Sequence, residues 1–146
     1  MSTPIYAARL KAAREATNLS PQEVAAAVGV SPGFYYDLET HGDLTSTVSL
    51  ARLHKICGIV HVQPRTLFSD SPPRDVVSLT KVFQGIKELC RTEEMTISQF
   101  EIDVGWGVQE CLDDPDAALD KWNVDCLKDI CSKLRIDWLT VLPASI

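Results

Sequence analysis

Carboxylates dominate the reactive side chains of this sequence, with twenty Asp and Glu against fourteen Lys and Arg. General acid–base catalysis needs carboxylates held at a fixed separation in contrasting environments, and no spacing here singles out such a couple. The five cysteines include no CxxC, and an odd count fits neither a disulfide framework nor a common zinc site. Cys57, Cys90, Cys126 and Cys131 fall at apolar helical positions, where a thiol behaves as a small hydrophobe. His54 and Cys57 at i, i+3, with His61 beyond, stop short of a four-ligand set. Gly105-Trp106-Gly107 lacks the flanking pattern of a phosphate loop, and no nucleophile elbow is present. These residues predict no enzyme, no metal and no cofactor. They predict binding.

The charges show where. From Glu15 through Ala51 there is no Lys or Arg, while Glu15, Glu23, Asp37, Glu39 and Asp43 are present. From Thr92 to Asp120 the cations vanish again, and acids accumulate through Glu110, Asp113, Asp114, Asp116 and Asp120. Residues 1–73 carry six basic and six acidic side chains, so the net charge of −6 belongs to residues 74–146. Opposed fields speed encounter and select partners, so the acidic stretches predict a basic protein as partner. Phe34, Tyr36 and Trp106 stand beside acids and are candidate anchors, since aromatics dominate interface energetics.

The element that positions the first of these stretches is Leu19 to Glu39, LSPQEVAAAVGVSPGFYYDLE. Ser20 precedes Glu23 by three residues, the spacing of a capping box. Pro21 takes the first helical position, where its missing N–H costs nothing. Val24, Ala25 and Val28 recur at helical spacing, and Gly29 stops the helix. Ser31-Pro32 repeats the start signal, with Tyr35 and Leu38 as the next apolar stripe. Two short helices about a tight turn predict a helix-turn-helix.

This stretch, with Leu-Ser-x-x-Glu-Val-Ala-x-x-Val-Gly-Val-Ser followed by Tyr-x-x-Leu-Glu, resembles the Cro and phage-repressor family of helix-turn-helix domains. The resemblance implies an all-α fold of five short helices and a second helix that reads the DNA major groove. It also implies base-reading side chains at Pro32, Gly33 and Asp37, just after the cap Ser31, and a phosphate contact near Pro21. Proline and glycine offer no side-chain donor, and an aspartate only accepts. Arg9 and Lys11 on the preceding helix are the remaining candidates for phosphate contact in the first half. Arg14 and Glu39 fall where the family places a partly buried ion pair between the first helix and the reading helix.

The remaining chain follows in order. Ile5 to Thr17 predicts an amphipathic first helix. Thr40 to Asp43 reads as a loop, and Val48, Leu50, Leu53, Ile56 and Cys57 as a fourth helix capped by Thr47. A short turn carries Leu67 and Phe68 before the break Ser69-Asp70-Ser71-Pro72-Pro73. Beyond the break the pattern repeats. At an offset of 76 residues, Leu10, Leu19, Ser20, Val24 and Val28-Gly29 meet Ile86, Met95, Thr96, Phe100 and Val104-Gly105. Past the reading helix the offset falls to 74, where Leu38, Leu53, Ile56-Cys57 and Val62 meet Leu112, Leu127, Ile130-Cys131 and Ile136. Cys90 replaces the Arg of the ion pair, Asp113 aligns with its Glu, and Trp122 and Trp138 are left to fill the second core.

The sequence therefore predicts an all-α protein of two tandem helix-turn-helix domains, residues 1–70 and a degenerate, acidic 71–146. It acts as an immunity-like, antitoxin-like or regulatory binding protein in the cytosol, as a monomer with an internal pseudo-dimer or as a homodimer. The alternative, carried by the resemblance, is a sequence-specific DNA-binding regulator. No apolar run approaches the ~20 residues of a membrane span, and the N-terminal residues show no signal-peptide pattern.

Overall fold

In the computed structural model, which describes residues 3–142, all regular structure is helical. The first half contains α1 (Ile5–Ala16), α2 (Pro21–Val28), α3 (Pro32–Thr40), α4 (Leu44–Thr47), α5 (Leu50–Ile59) and α6 (Pro64–Phe68). An extended stretch then leads to α7 (Leu79–Thr92), α8 (Ile97–Val104), α9 (Ala118–Lys121) and α10 (Val124–Leu134). Short 3-10 turns occupy Gln109–Cys111, Pro115–Ala117 and Trp138–Thr140.

Local chemistry starts and stops these helices where the sequence signals stand. Ser20 Oγ accepts from the Glu23 N–H at 3.1 Å while the Glu23 carboxylate accepts from the Ser20 N–H at 3.0 Å, closing the capping box of α2. Gly29 ends α2 with φ 88°, a left-handed conformation that a side chain would strain. The second half repeats both devices. Thr96 and Gln99 form the capping box of α8, and Gly105 ends it at φ 79°. Even the non-glycine residues with positive φ pair at the two offsets: Asn18 with Glu94, and His61 with Arg135.

Three expectations are corrected. Among the described residues the first half has six helices rather than five, because Leu44, just past the loop read at 40–43, turns inward and starts α4. Four residues are too few to show a helical period, so no apolar stripe announces this helix. The next helix begins at Leu50, and its cap is Ser49 rather than Thr47, with Ser49 Oγ accepting from the Arg52 N–H at 3.1 Å. The largest departure lies in the second half, where the expected five-helix unit lacks its reading helix. Where α3 has its counterpart, only the 3-10 turn at Gln109–Cys111 forms. Glu101 supplies a reason. It holds the position of buried Ala25 in α2, and its carboxylate accepts the N–H groups of Val108 (2.6 Å) and Gln109 (3.1 Å). Those donors are thereby held in a turn, and Pro115 stands two residues past Asp113, so no longer helix follows.

The buried apolar residues of both halves form one continuous cluster running from Leu10 to Leu142. In the first half α3 lies against α1 and α2, and α6 against α1. Between the halves, α4 packs on α10 and α5 on α9. Arg65, 1 % exposed, fastens the two halves together. Its guanidinium donates to the carbonyls of Pro73 (2.9 Å), Thr140 (2.8 Å) and Leu142 (3.0 Å). Phe68 sits between Tyr6, tilted to it, and Trp138, edge-on to it, with ring centroids 5.3 and 5.1 Å away.

Candidate recognition surface

The helix-turn-helix surface is built on α3. Tyr35, Leu38 and Glu39 are its buried side, and Ser31 caps its start by accepting from the Phe34 N–H at 3.1 Å. Glu39 anchors the helix from below. Arg14 Nε donates to Glu39 Oε2 at 2.7 Å and its Nη2 to Oε1 at 3.0 Å, a bidentate pair, while Nη1 donates to the Leu19 carbonyl at 2.9 Å. The pair raises the Arg14 pKa further, chiefly through its hydrogen bond to Glu39. Burial, and then the neighbouring Glu39 carboxylate, push the Tyr35 phenol far above its ordinary value. So α3 is fixed from its inner face and presents its outer one.

That outer face carries Ser31, Pro32 and Gly33, all exposed, and Tyr36, which is 57 % exposed. Asp37 is half-buried and lies 3.2 Å from His41 Nδ1. Phe34 is half-buried and packs on the core. The loop at Gly42 is covered by Tyr6, whose hydroxyl donates to the Gly42 carbonyl at 2.8 Å. The face therefore offers hydroxyls, an aromatic ring and a carboxylate, but no cation.

Arg9 does not join this face, which corrects its expected availability to phosphate. Its guanidinium donates to the carbonyls of Thr66 (3.4 Å) and Leu67 (3.1 Å) and pairs with Asp70, tying α1 to α6. Lys11 stays exposed on α1. Asp37, His41 and Asp43 bring one potential ligand atom each within 4.8 Å of one another. His54, Cys57 and His61 form no such group among the described residues. Cys57 is fully buried, and burial pushes its thiol up to about 12.

In the second half, Asp113, Asp114, Asp116 and Asp120 are exposed along the segment that replaces the reading helix. Glu110 is exposed as well and accepts from Lys121 Nζ at 2.7 Å. Trp106 is only half-buried, its indole N–H donating to Asp129 Oδ2 at 2.9 Å. Trp122 lies buried on Phe83 with ring centroids 5.1 Å apart, while Trp138 stays at the edge of the core against Phe68. An open groove of about 1200 Å³ passes over Leu89, Met95 and Ile136, between α7 and the ends of α8 and α10.

Two residues that organise this arrangement escaped the sequence. Arg65 bonds carbonyls 75 and 77 residues away, which no local pattern announces. Glu101 did leave a trace, as a charged residue aligned with apolar Ala25 in the repeat.

A capped helix, a glycine turn and a second helix pinned beneath its outer face form a helix-turn-helix in the first half of an all-α chain. In agreement, residues 5–67 match the family model described as a helix-turn-helix domain, ending just before the extended stretch that follows α6. No curated protein and no solved structure gives a significant match. No helix among the described residues is long and apolar enough to cross a membrane.

Proposed function

We propose that this chain is a non-enzymatic binding protein of the cytosol in which two diverged copies of a Cro-like helix-turn-helix fold, residues 1–70 and 71–146, engage a basic protein. Its role is then immunity-like, antitoxin-like or regulatory. The observation that carries this reading is the absence of any Lys or Arg from Glu15 through Ala51, which includes the whole exposed face of α3. Duplex affinity rests on cations that displace counterions from phosphates, and α3 presents Pro32, Gly33, Tyr36 and Asp37 instead. The exposed acids Asp113, Asp114, Asp116 and Asp120, with Glu110, add a field that repels a duplex and attracts a basic surface. Tyr36, Phe34 and Trp106 supply apolar contact beside it.

A second reading, a sequence-specific DNA-binding regulator, is favoured by the family match over residues 5–67. Ser31 and the exposed start of α3 would then approach the bases, and Lys11 the backbone. A fluorescence-anisotropy titration against duplex fragments, including the region upstream of the coding sequence, separates the two. The expected result is no binding tighter than about 10⁻⁴ M at physiological salt, the weak end of non-specific affinity. Saturable binding to one fragment, falling steeply with salt, would replace the first reading by the second.

A further inference from the structure

Ser49 and Asn123 pair in an isolated antiparallel bridge, and they are separated by 74 residues, the same offset that relates the last part of the repeat. In a two-fold contact residue i meets j while j meets i, and only on the axis does a residue meet its own equivalent. The bridge therefore marks a local two-fold axis inside one chain. The surrounding contacts obey it. Leu44–Thr47 plus 74 is Ala118–Lys121, so α4 corresponds to α9, and α5 begins 74 residues before α10. Two of the contacts between halves, α4 on α10 and α5 on α9, are then one contact seen from each side. Buried residues pair at the same offset, Val48 with Trp122, Leu50 with Val124 and Leu53 with Leu127. Two polar links pin the centre: the Leu50 N–H donates to the Trp122 carbonyl and Asn123 Nδ2 to the Ser46 carbonyl, both at 2.9 Å.

We infer that the second half is a built-in partner that occupies the pairing face of the first, so that the chain acts as a monomer and meets its target with a single reading helix. The inference rests on the tandem-copy part of the proposed function and holds whether the target is protein or duplex. Val48, Leu50 and Leu53 are at most 2 % exposed, which leaves no apolar surface at the axis for a second chain. The stretch from Ser69 to Val77 joins α6 to the cap of α7, and a short tether of this kind sets an effective concentration on the order of millimolar. A second copy at ordinary concentration does not compete with that. The symmetry stops at the reading surface. There α3 is a nine-residue helix, whereas its counterpart is a 3-10 turn among exposed acids. A two-fold target would therefore be matched on one side only.

The test uses the full chain in two forms. Sedimentation equilibrium of the unmodified protein is expected to give the mass of one chain over about a hundredfold range of concentration, as mass action requires of a closed pairing face. In the S49C/N123C variant, mild oxidation is expected to form a cross-link within one chain, at a yield independent of dilution. The five native cysteines are buried and do not compete. A two-chain mass for the unmodified protein overturns the inference. So does a disulfide-linked dimer, or a variant that stays folded by circular dichroism yet forms no cross-link. Should the variant fail to fold, the sedimentation result decides alone. Neither readout involves a target, so loss of the proposed target class leaves this result standing.

Discussion

Replacing Glu39 by alanine tests how α3 is held. The carboxylate accepts two charge-assisted hydrogen bonds from Arg14, at 2.7 and 3.0 Å, and its own side chain is 3 % exposed. Glu39→Ala strands the Nε and Nη2 donors, while Nη1 keeps the Leu19 carbonyl. Breaking a fully buried pair from one side costs roughly 3–5 kcal/mol. Arg14, with a side chain 10 % exposed, lets water reach part of the guanidinium and lowers that figure. The expected loss is about 2–4 kcal/mol, read as a fall in the urea midpoint with an unchanged slope. Because the buried cluster is continuous across both halves, one transition should carry the whole effect. The double replacement Arg14→Met with Glu39→Leu should recover most of the loss, since apolar groups of similar volume commonly substitute for a buried pair without penalty. A change within about 0.5 kcal/mol for Glu39→Ala, the scale of an ordinary surface substitution, would refute the reasoning.

Arg65→Met should destabilise the fold by about 2–4 kcal/mol by leaving two buried carbonyls and the half-buried one of Pro73 without their donor, with faster proteolysis in the stretch 69–78. Arg65→Lys should rescue little, because an ammonium does not reproduce the planar fork. Glu101 is held below the usual carboxylate range, first by the Val108 N–H and then by the Gln109 donors. Its contribution is accordingly whole above the ordinary value of 4.5 and is lost as pH falls through the depressed one. An acid titration followed by Trp106 emission should show that loss, and Glu101→Gln should flatten it. Burial pushes the Cys57, Cys126 and Cys131 thiols up to about 12, so a thiol reagent at neutral pH should modify them only at the rate of global opening. Prompt modification of all three in the folded protein would contradict their burial.

The parts of the fold legible in the sequence are those fixed by short-range chemistry. Ser20, Glu23 and Gly29 write the bounds of α2 within nine residues, and Thr96, Gln99 and Gly105 do the same for α8. The 76 and 74 offsets show in the sequence as matching apolar spacing, and caps and left-handed turns stand at the same offsets in the structure. What stayed hidden depends on contacts remote in sequence or on elements shorter than a helical period. Leu44–Thr47 shows no stripe because four residues complete barely one turn. Arg9 reads as a surface cation until α6 folds back and offers it the carbonyls of Thr66 and Leu67. The missing second reading helix was hidden for a different reason. Leu112 keeps the apolar register of Leu38, so the pattern looks intact, while Glu101 competes for the backbone N–H groups of the turn that follows.

The two halves agree in the features that start, stop and join their helices and differ on their exposed faces. Caps, left-handed turns and the apolar contacts about the Ser49–Asn123 axis recur at the repeat offsets. The Arg14–Glu39 anchor, the third helix and its exposed face do not, since Cys90 and exposed Asp113 stand where the pair would be. Arg14 and Glu39 fix α3 from beneath, and at the counterpart position there is only a 3-10 turn for such a pair to fix. There a small buried thiol, Cys90, stands at the position that corresponds to Arg14. At the axis the Leu50 N–H donates to the Trp122 carbonyl, and Val48, Leu50, Trp122 and Val124 are all at most 3 % exposed, so opening the contact would expose apolar surface. The second half thus matches the first at the surface where the two meet and differs from it on the exposed surface.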